Sequence, residues 1–199
     1  MKTENLLSKI NSADISYETY LKNFKNKIDS ENIDNLSPKD LELLNYTKLN
    51  YQRTQRIHKT FKPNDKLISV MNSIDKQMIW MVITEPWCGD SAQNLPFIYE
   101  ISKLNENIQL KIICRDENLD IMDLYLTDGK SRSIPKLVVF SEFGDEFFQW
   151  GPRPVELVNQ IDKWKSEGLT KEEFLPMIHL WYAQDKGNNL INEILNLLS

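Results

Sequence analysis

The sequence predicts an α/β fold in which helices cover a mixed β-sheet, with further helices added at both ends of the chain. Residues 78–83 form a continuous apolar run, which is typical of a strand covered on both faces. Segments with helical spacing of apolar residues alternate with this strand and with the later ones. Two late strands flank the short turn at Phe143-Gly144-Asp145 and are therefore predicted to be antiparallel.

The first 60 residues are predicted to be helical. Ser16 can cap a helix whose apolar residues recur at helical spacing, namely Tyr17, Tyr20, Leu21, Phe24 and Ile28. Residues 31–36 are predicted to be a connection. Ser37 and Pro38 then combine an N-cap residue with a proline at the first helical position, and the helix is expected to run to about Lys59. Its buried side is expected to contain Leu41, Leu44, Leu49 and Ile57.

The remaining elements follow in the order expected of a sheet with one helical crossover. The predicted strands are residues 78–83, 109–114, 137–140 and 146–150, and the predicted helices are residues 65–74, a segment opening near Cys88, residues 119–126, a segment between Pro154 and Gly168, and residues 171–198 with a break near Gly187. The helix after Pro154 is expected to present Val155, Val158, Ile161 and Trp164 on one face. The first two strands should be parallel because a helix connects them.

Composition limits the classes of function. The chain has 199 residues, a net charge of -5 and a pI of about 5.2, so nucleic acid is not an expected partner. No signal peptide or membrane-spanning run is expected, and two cysteines are too few for a disulfide framework, which together indicate the cytoplasm. His58 and His179 are isolated, so no metal is expected. Without a P-loop or a dinucleotide fingerprint, no cofactor is expected either.

The stretch Trp87-Cys88-Gly89-Asp90-Ser91 carries the main chemical signal. Cys88 stands where a buried strand ends and a helix begins. Unpaired N–H groups and the partial positive charge of a helix N-terminus stabilise a thiolate and lower the pKa of a cysteine placed there. Gly89 is expected to let the backbone turn tightly and leave the sulfur approachable. Asp90 opposes this effect, because a carboxylate in the same helical turn repels a thiolate.

Further along the chain, other short motifs accompany this stretch. They are Pro96 eight positions after Cys88, Ser133-Ile134-Pro135 before an apolar strand, the turn Gly144-Asp145-Glu146, and Gly151 before a helix. With Trp87-Cys88-Gly89, this ordered set resembles the thioredoxin superfamily over about residues 65–165. The motifs Arg115-Asp116-Glu117-Asn118 and Trp150-Gly151-Pro152-Arg153-Pro154 are similar to those of a little-characterised bacterial branch with the Trp-Cys-Gly-Asp sequence.

The resemblance implies a domain organisation and a substrate groove. Residues 63–166 would be the thioredoxin-like domain, residues 1–62 a helical extension packing on it, and residues 167–199 a C-terminal helical extension. Pro135 would follow a cis peptide bond, and the backbone of Ile134 would pair with an extended substrate. The groove would be lined by Trp87, Gly89, Asp90, Ile134 and Pro135.

The sequence also departs from ordinary thioredoxins. Ser91 replaces the second cysteine, Asp90 replaces the usual proline, and Val82 stands where a buried acid is expected. Cys88 can therefore form a mixed disulfide that Ser91 cannot resolve, so an outside thiol must release the partner. Residues 141–145 also lack the glutathione-binding signature of monothiol glutaredoxins.

Three further residues have two open interpretations. Cys114, at the end of the second strand, is a buried structural thiol or a resolving thiol at the same edge of the sheet. Arg53 and Arg56 lie in a stretch, residues 46–62, that has five basic residues and no acid. They either dock their helix onto the acidic core or reach the active-site edge and recognise an anionic substrate.

Two hypotheses of function follow from the sequence. The first is a monothiol (Cys-x-x-Ser) thiol–disulfide oxidoreductase in which Cys88 is the nucleophile and Ser91 supports its thiolate. Its partner would be a protein or a low-molecular-weight thiol or disulfide. The second is a redox-inactive binding or scaffold protein that uses the groove and the helical flanks. The sequence leaves the oligomeric state open.

Overall fold

A computed structural model describes residues 3–30 and 36–198, and the chain divides into two compact units, Met1–Pro152 and Arg153–Ser199. The elements of the first unit are α1 (Thr3–Ala13), α2 (Tyr17–Ser30), α3 (Pro38–Thr60), α4 (Asp65–Asn72), β1 (Met78–Thr84), α5 (Gly89–Ser102), β2 (Ile108–Cys114), α6 (Leu119–Met122), β3 (Lys136–Ser141) and β4 (Glu146–Trp150). Those of the second unit are α7 (Val155–Ser166), α8 (Lys171–Asp185) and α9 (Asn188–Leu198).

The four strands form one mixed sheet in the order β2-β1-β3-β4. β1 and β2 are parallel, whereas β3 is antiparallel to both β1 and β4. The predicted parallel pair and the predicted hairpin are therefore confirmed, and so is the α/β fold with a mixed sheet flanked by helices. Thr84 pairs with Cys114, so β1 and β2 end at the same edge of the sheet.

One face of the sheet carries an apolar cluster that reaches the end of β1. Its members include Met81, Ile83 and Ile113 from the strands, Ile10 from α1, and Ile121 and Met122 from α6. Cys88 and Ile134 belong to the same cluster. The segment that follows β1 is thus anchored in the hydrophobic core, which gives a side chain at this position a fixed location.

The N-terminal helices pack directly on the sheet and on α5. Ile15, just after α1, exchanges two backbone hydrogen bonds with Ile112 on β2, with N–O distances of 3.0 and 3.2 Å. The Tyr17 ring stacks on Tyr99 of α5 at a centroid distance of 4.1 Å. His58 of α3 contacts the Tyr17 hydroxyl at 3.0 Å and Glu100 at 2.7 Å. These contacts join α2, α3 and α5.

The start of α3 follows the prediction, but its buried side does not. Ser37 accepts a hydrogen bond from the Asp40 N–H at 3.2 Å, and Pro38 is the first helical residue. The prediction that Leu49 is buried is wrong, since 41% of it is exposed, and Leu41 is only half-buried. The buried face is largely polar and consists of Leu44, Thr47, Asn50, Thr54 and Ile57. Most of the predicted connection at residues 31–36 lies outside the described residues.

The second unit is a set of three helices with its own apolar cluster. Leu157, Ile161, Trp164, Ile178 and Tyr182 are buried together. Of the four residues predicted to share one face of α7, Ile161 and Trp164 are buried, whereas 60% of Val155 and 39% of Val158 are exposed. Gly187 separates α8 from α9, as the predicted break requires. None of the helices in the described ranges is both long and apolar enough to cross a membrane.

Candidate thiol site

Cys88 is the N-cap residue of α5, immediately after the loop that leaves β1. Its sulfur accepts a hydrogen bond from the Ser91 backbone N–H at 3.4 Å, so the thiol takes the place of a serine or aspartate cap. The thiol also lies 3.2 Å from the Ile134 carbonyl oxygen, to which it donates its proton. Only 8% of Cys88 is exposed. The sulfur is therefore held between a helix N-terminus and the loop before β3.

The surroundings of Cys88 change its acidity in opposite directions. Burial raises the pKa of the thiol, and the carboxylate of Asp90 raises it further. The side chain of Ser91 and the backbone N–H groups of Ser91 and Asp90 act in the other direction. The net pKa lies above the ordinary value of a cysteine. The expected lowering by the helix N-terminus is present, but burial outweighs it.

The Ser91 hydroxyl is buried beside the sulfur, with 1% of the residue exposed. In the described part of the chain it makes no close hydrogen bond, yet it is near enough to lower the pKa of the thiol. A hydroxyl in this position can turn its proton toward a thiolate once one forms. The geometry is thus compatible with the predicted supporting role of Ser91, a role that remains a prediction.

The loop before β3 forms the other side of the site. The Ile134–Pro135 peptide bond is cis, and both residues are buried. The backbone of Gly151 packs closely against this loop. Its φ is +110°, and a Cβ at this position would lie 2.3 Å from the Pro135 carbonyl oxygen. Only glycine fits such a close approach of two backbone segments. Gly151 thus supports the position of the carbonyl that accepts from Cys88.

Trp87, predicted to line the groove, is fixed by the segment that follows β2. Its indole N–H donates to the Asp116 carboxylate at 3.2 Å, and the Arg115 guanidinium lies 4.6 Å from the ring centroid. Arg115 in turn donates to the same carboxylate at 2.6 and 2.8 Å and to the Arg132 carbonyl at 3.2 Å. The Arg-Asp-Glu-Asn motif therefore orients the tryptophan beside Cys88.

Glu85 is a site residue that the sequence analysis missed. It follows the last residue of β1, is 9% exposed, and accepts a hydrogen bond from the Asp116 N–H at 2.8 Å. Burial raises the pKa of this carboxyl above its ordinary value. Val82 occupies the position where thioredoxins have a buried acid, and it is fully buried in β1. The buried acid of this site is Glu85, three residues later. The signal in the sequence that could have identified Glu85 is an acidic residue directly after a buried strand.

Cys114 lies at the end of β2, opposite Thr84, and is half-buried. Burial, followed by the nearby Glu85, Glu117 and Asp116, raises the pKa of its thiol to about 11. Both cysteines are free thiols in the structure. The Cys114 thiol is therefore poorly ionised at neutral pH, which favours the structural interpretation over a resolving role.

The predicted basic helix approaches the site through a polar contact. Asn50 of α3 is fully buried and donates to the Pro86 carbonyl, two residues before Cys88, at 3.1 Å. Arg53 donates to the Asn50 side-chain oxygen at 2.9 Å. Within the described ranges, neither Arg53 nor Arg56 forms an ion pair with a carboxylate. Hydrogen bonds of Asn50 and His58, rather than arginine ion pairs, attach α3 to its neighbours.

The structure thus brings together Trp87, Cys88, Ser91, Ile134 and Pro135. Arg53 is linked to this site through Asn50, which donates to the Pro86 carbonyl. Gly89 and Asp90 are the first two residues of α5. Among the described residues, no group of three or more histidine, cysteine, aspartate or glutamate side chains is placed to hold a metal ion.

Comparison with known proteins relates this geometry to a family. A protein of unknown function from Pseudomonas aeruginosa shares the fold with a TM-score of 0.57 and 19% identity, covering 77% of this chain and 84% of that chain. An HIV epitope-scaffold has a TM-score of 0.61 and 16% identity, covering 96% of each chain. No curated protein matches the sequence. The family model described as thioredoxin matches residues 38–165, which is well over half of the sequence, and the chain therefore belongs to the thioredoxin family.

Proposed function

We propose that the protein is a monothiol thiol–disulfide oxidoreductase that acts through a mixed disulfide at Cys88. One observation carries the proposal: the Cys88 sulfur caps α5, where it accepts the Ser91 N–H and contacts the Ile134 carbonyl. A sulfur at a helix N-terminus has donors that favour its thiolate once the thiol is deprotonated. Membership of the thioredoxin family supports a redox role in general.

The proposed reaction has two thiol–disulfide exchanges. In the first, the Cys88 thiolate attacks one sulfur of a disulfide, a new S–S bond forms, the old S–S bond breaks, and the other sulfur leaves as a thiolate that takes up a proton. In the second, the thiolate of an external thiol attacks the partner's sulfur in the mixed disulfide, an S–S bond forms between these two sulfurs, the bond to Cys88 breaks, and Cys88 leaves as the thiolate. Because Ser91 has no thiol, it cannot perform the second exchange. The external thiol supplies the electrons.

The high pKa of Cys88 determines how the enzyme would behave. Little thiolate is present at neutral pH, so the rate of the first exchange should rise with pH up to the pKa. Asp90 and burial thus make the resting site slow. We accordingly propose a slow reductase of ordinary protein disulfides, with a protein or a low-molecular-weight thiol or disulfide as partner. A cytoplasmic location is consistent with a free, reduced thiol of this kind.

The proposal is tested by adding the missing thiol to a Cys114→Ser background. The backbone N–H of residue 91 donates to the Cys88 sulfur. A thiol introduced there by Ser91→Cys can therefore attack a mixed disulfide at Cys88. We expect the variant to release the bound half without added thiol and to end as an internal disulfide, two hydrogens lighter by mass spectrometry. The parent protein should retain the mixed disulfide with 2-hydroxyethyl disulfide until an external thiol is supplied.

The matched control is Cys88→Ser in the same background, which should form no adduct. If Cys88 forms no mixed disulfide even at a pH where alkylation shows that its thiolate is present, the proposed function is wrong.

A second function is favoured by one observation, the burial of the thiol. A cysteine that is 8% exposed and has a raised pKa suits a binding protein that has kept the groove without its chemistry. In that case the helical flanks would be the interaction surface. Cells carrying Cys88→Ala would then resist thiol stress as well as wild type and would keep the same binding partners. A loss of resistance would instead support the oxidoreductase.

A further inference from the structure

We propose that Arg53 and Arg56 form an anion subsite beside the Cys88 loop, so that the disulfide exchanged at Cys88 is a small molecule carrying a carboxylate. This inference rests on the proposed function for the exchange step and on the geometry of α3 for the subsite. It assigns a substrate class, an anionic low-molecular-weight disulfide, where the thiol alone would accept disulfides of any charge.

The position of Arg53 is fixed by a short chain of hydrogen bonds. Its guanidinium donates to the Asn50 side-chain oxygen at 2.9 Å, and the Asn50 amide donates to the Pro86 carbonyl at 3.1 Å. Asn50 is fully buried, so it is held in one orientation. The guanidinium is therefore two hydrogen bonds from the backbone that leads into Cys88. A group bound to Arg53 would lie beside the loop that carries the thiol.

The charge of Arg53 is not neutralised by the described part of the chain. Arg53 is half-buried and forms no ion pair there, and Arg56, one helical turn later, has no ion-pair partner among the described residues either. Burial lowers the pKa of Arg53, and the neighbouring charge of Arg56 lowers it further. Removing a cation from water next to a like charge is unfavourable, and a bound anion would relieve both effects.

The other arginines of this unit give a useful contrast. Arg132 binds the Asp123 carboxylate through two hydrogen bonds of 2.6 and 2.8 Å, and Arg115 binds Asp116. Arg132 is more exposed than Arg53, yet it is the one that has a carboxylate partner within the described ranges. A guanidinium fork matches a carboxylate, and the guanidinium groups of Arg115 and Arg132 already bind one. Arg53, which is more buried than Arg132 and has no such partner within the described ranges, is therefore the better place for a carboxylate brought by a ligand.

Binding can be measured without the exchange reaction. In a Cys88→Ser, Cys114→Ser protein, isothermal calorimetry would compare 3,3′-dithiodipropionate, which has two carboxylates, with neutral 2-hydroxyethyl disulfide. We expect the anionic disulfide to bind at least about tenfold more tightly, and Arg53→Gln to remove most of that difference. Lys76→Gln is the matched control, because it removes one exposed cation near the start of β1, at the other end of the strand from the thiol. Its effect should be small.

Three results would overturn the subsite: equal affinity for the two disulfides, no binding of either one, or equal losses in Arg53→Gln and Lys76→Gln. A second measurement separates this inference from the proposed function. With Cys88 intact in a Cys114→Ser protein, the rates of mixed-disulfide formation with the two reagents should differ in the same ratio as the affinities. If binding depends on Arg53 but neither reagent reacts, the anion subsite stands and the oxidoreductase proposal fails.

Discussion

Cys88 follows the end of β1 and Cys114 is the last residue of β2, so both thiols belong to the same edge of the sheet. Cys114 is the more exposed of the two, but carboxylates surround it and its pKa is raised to about 11. Cys88 is nearly buried, but backbone N–H groups and the Ser91 side chain partly offset the effect of burial on its pKa. Exposure alone would therefore select Cys114, whereas the nucleophile proposed above is Cys88.

The comparison shows what a helix N-terminus contributes at this edge. The two thiols share desolvation and nearby acids, and they differ in whether hydrogen-bond donors face the sulfur. Donors stabilise a charge only when it forms, so their benefit appears in the reaction rather than in the resting state. Changes that act on one thiol and not on the other can therefore test the roles assigned here.

The largest expected effect comes from Gly151→Ala. The new Cβ would lie 2.3 Å from the Pro135 carbonyl oxygen, and the φ of +110° disfavours any side chain. We expect unfolding to become easier by about 3 kcal/mol, since backbone on both sides of the contact must move. The Ile134 carbonyl would move with it, which should change the alkylation rate of Cys88 while that of Cys114 stays constant.

Chemical denaturation and peptide-level alkylation would measure these two effects. Gly129→Ala is the control, because Gly129 also has a positive φ, of +66°, but a Cβ added there would meet no atom within 4 Å in the described part of the chain. Equal destabilisation by the two substitutions would show that the backbone angle, and not the contact with Pro135, is responsible.

An intermediate effect is expected from Asp90→Asn. The Asp90 carboxylate raises the pKa of Cys88, so its removal should lower that pKa and increase the thiolate fraction at pH 7. We expect alkylation of Cys88 by iodoacetamide to accelerate roughly threefold, with Cys114 unchanged. Glu142→Gln removes a negative charge at the opposite end of the sheet, just after β3, and should leave both rates unchanged. An equal acceleration in this control would indicate a general effect of net charge.

The order of the elements was predictable from the sequence because it depends on local signals. The apolar run of β1, the Ser37 cap and the turn at Gly144 each specify backbone conformation within a few residues. The position of Cys88 at a helix start follows from the same signals. Its burial does not, since it depends on what the Ile134 loop and the surrounding cluster place around the sulfur.

The polar contacts of the site were harder to predict for a physical reason. Three buried residues of α3 have helical spacing but are polar, so hydropathy would place them in solvent: Thr47, Asn50 and Thr54. In the structure they face the neighbours of α3, and Asn50 donates to the Pro86 carbonyl. Glu85 is buried because the Asp116 N–H is brought to it from a segment 31 residues away. Such partners are separated along the sequence, and only the folded sheet edge brings them together.

The smallest expected effect comes from Glu85→Gln, which keeps an oxygen that can accept the Asp116 N–H but removes the charge. Burial raises the pKa of Glu85, so the folded protein retains this proton at a pH where the unfolded chain has lost it. Wild-type stability should therefore fall as the pH rises from the ordinary glutamate pKa to the raised one, and the Gln variant should lack this fall. Denaturation at several pH values would measure it.

The same substitution should affect the two thiols differently. After burial itself, Glu85 is the largest contributor to the raised pKa of Cys114, whereas Asp90 is the carboxylate that acts on Cys88. Glu85→Gln should thus accelerate alkylation of Cys114 by less than about threefold and leave Cys88 unchanged. If Cys88 responds as strongly as Cys114, the two thiols share one electrostatic environment, and donors at the α5 N-terminus do not set Cys88 apart.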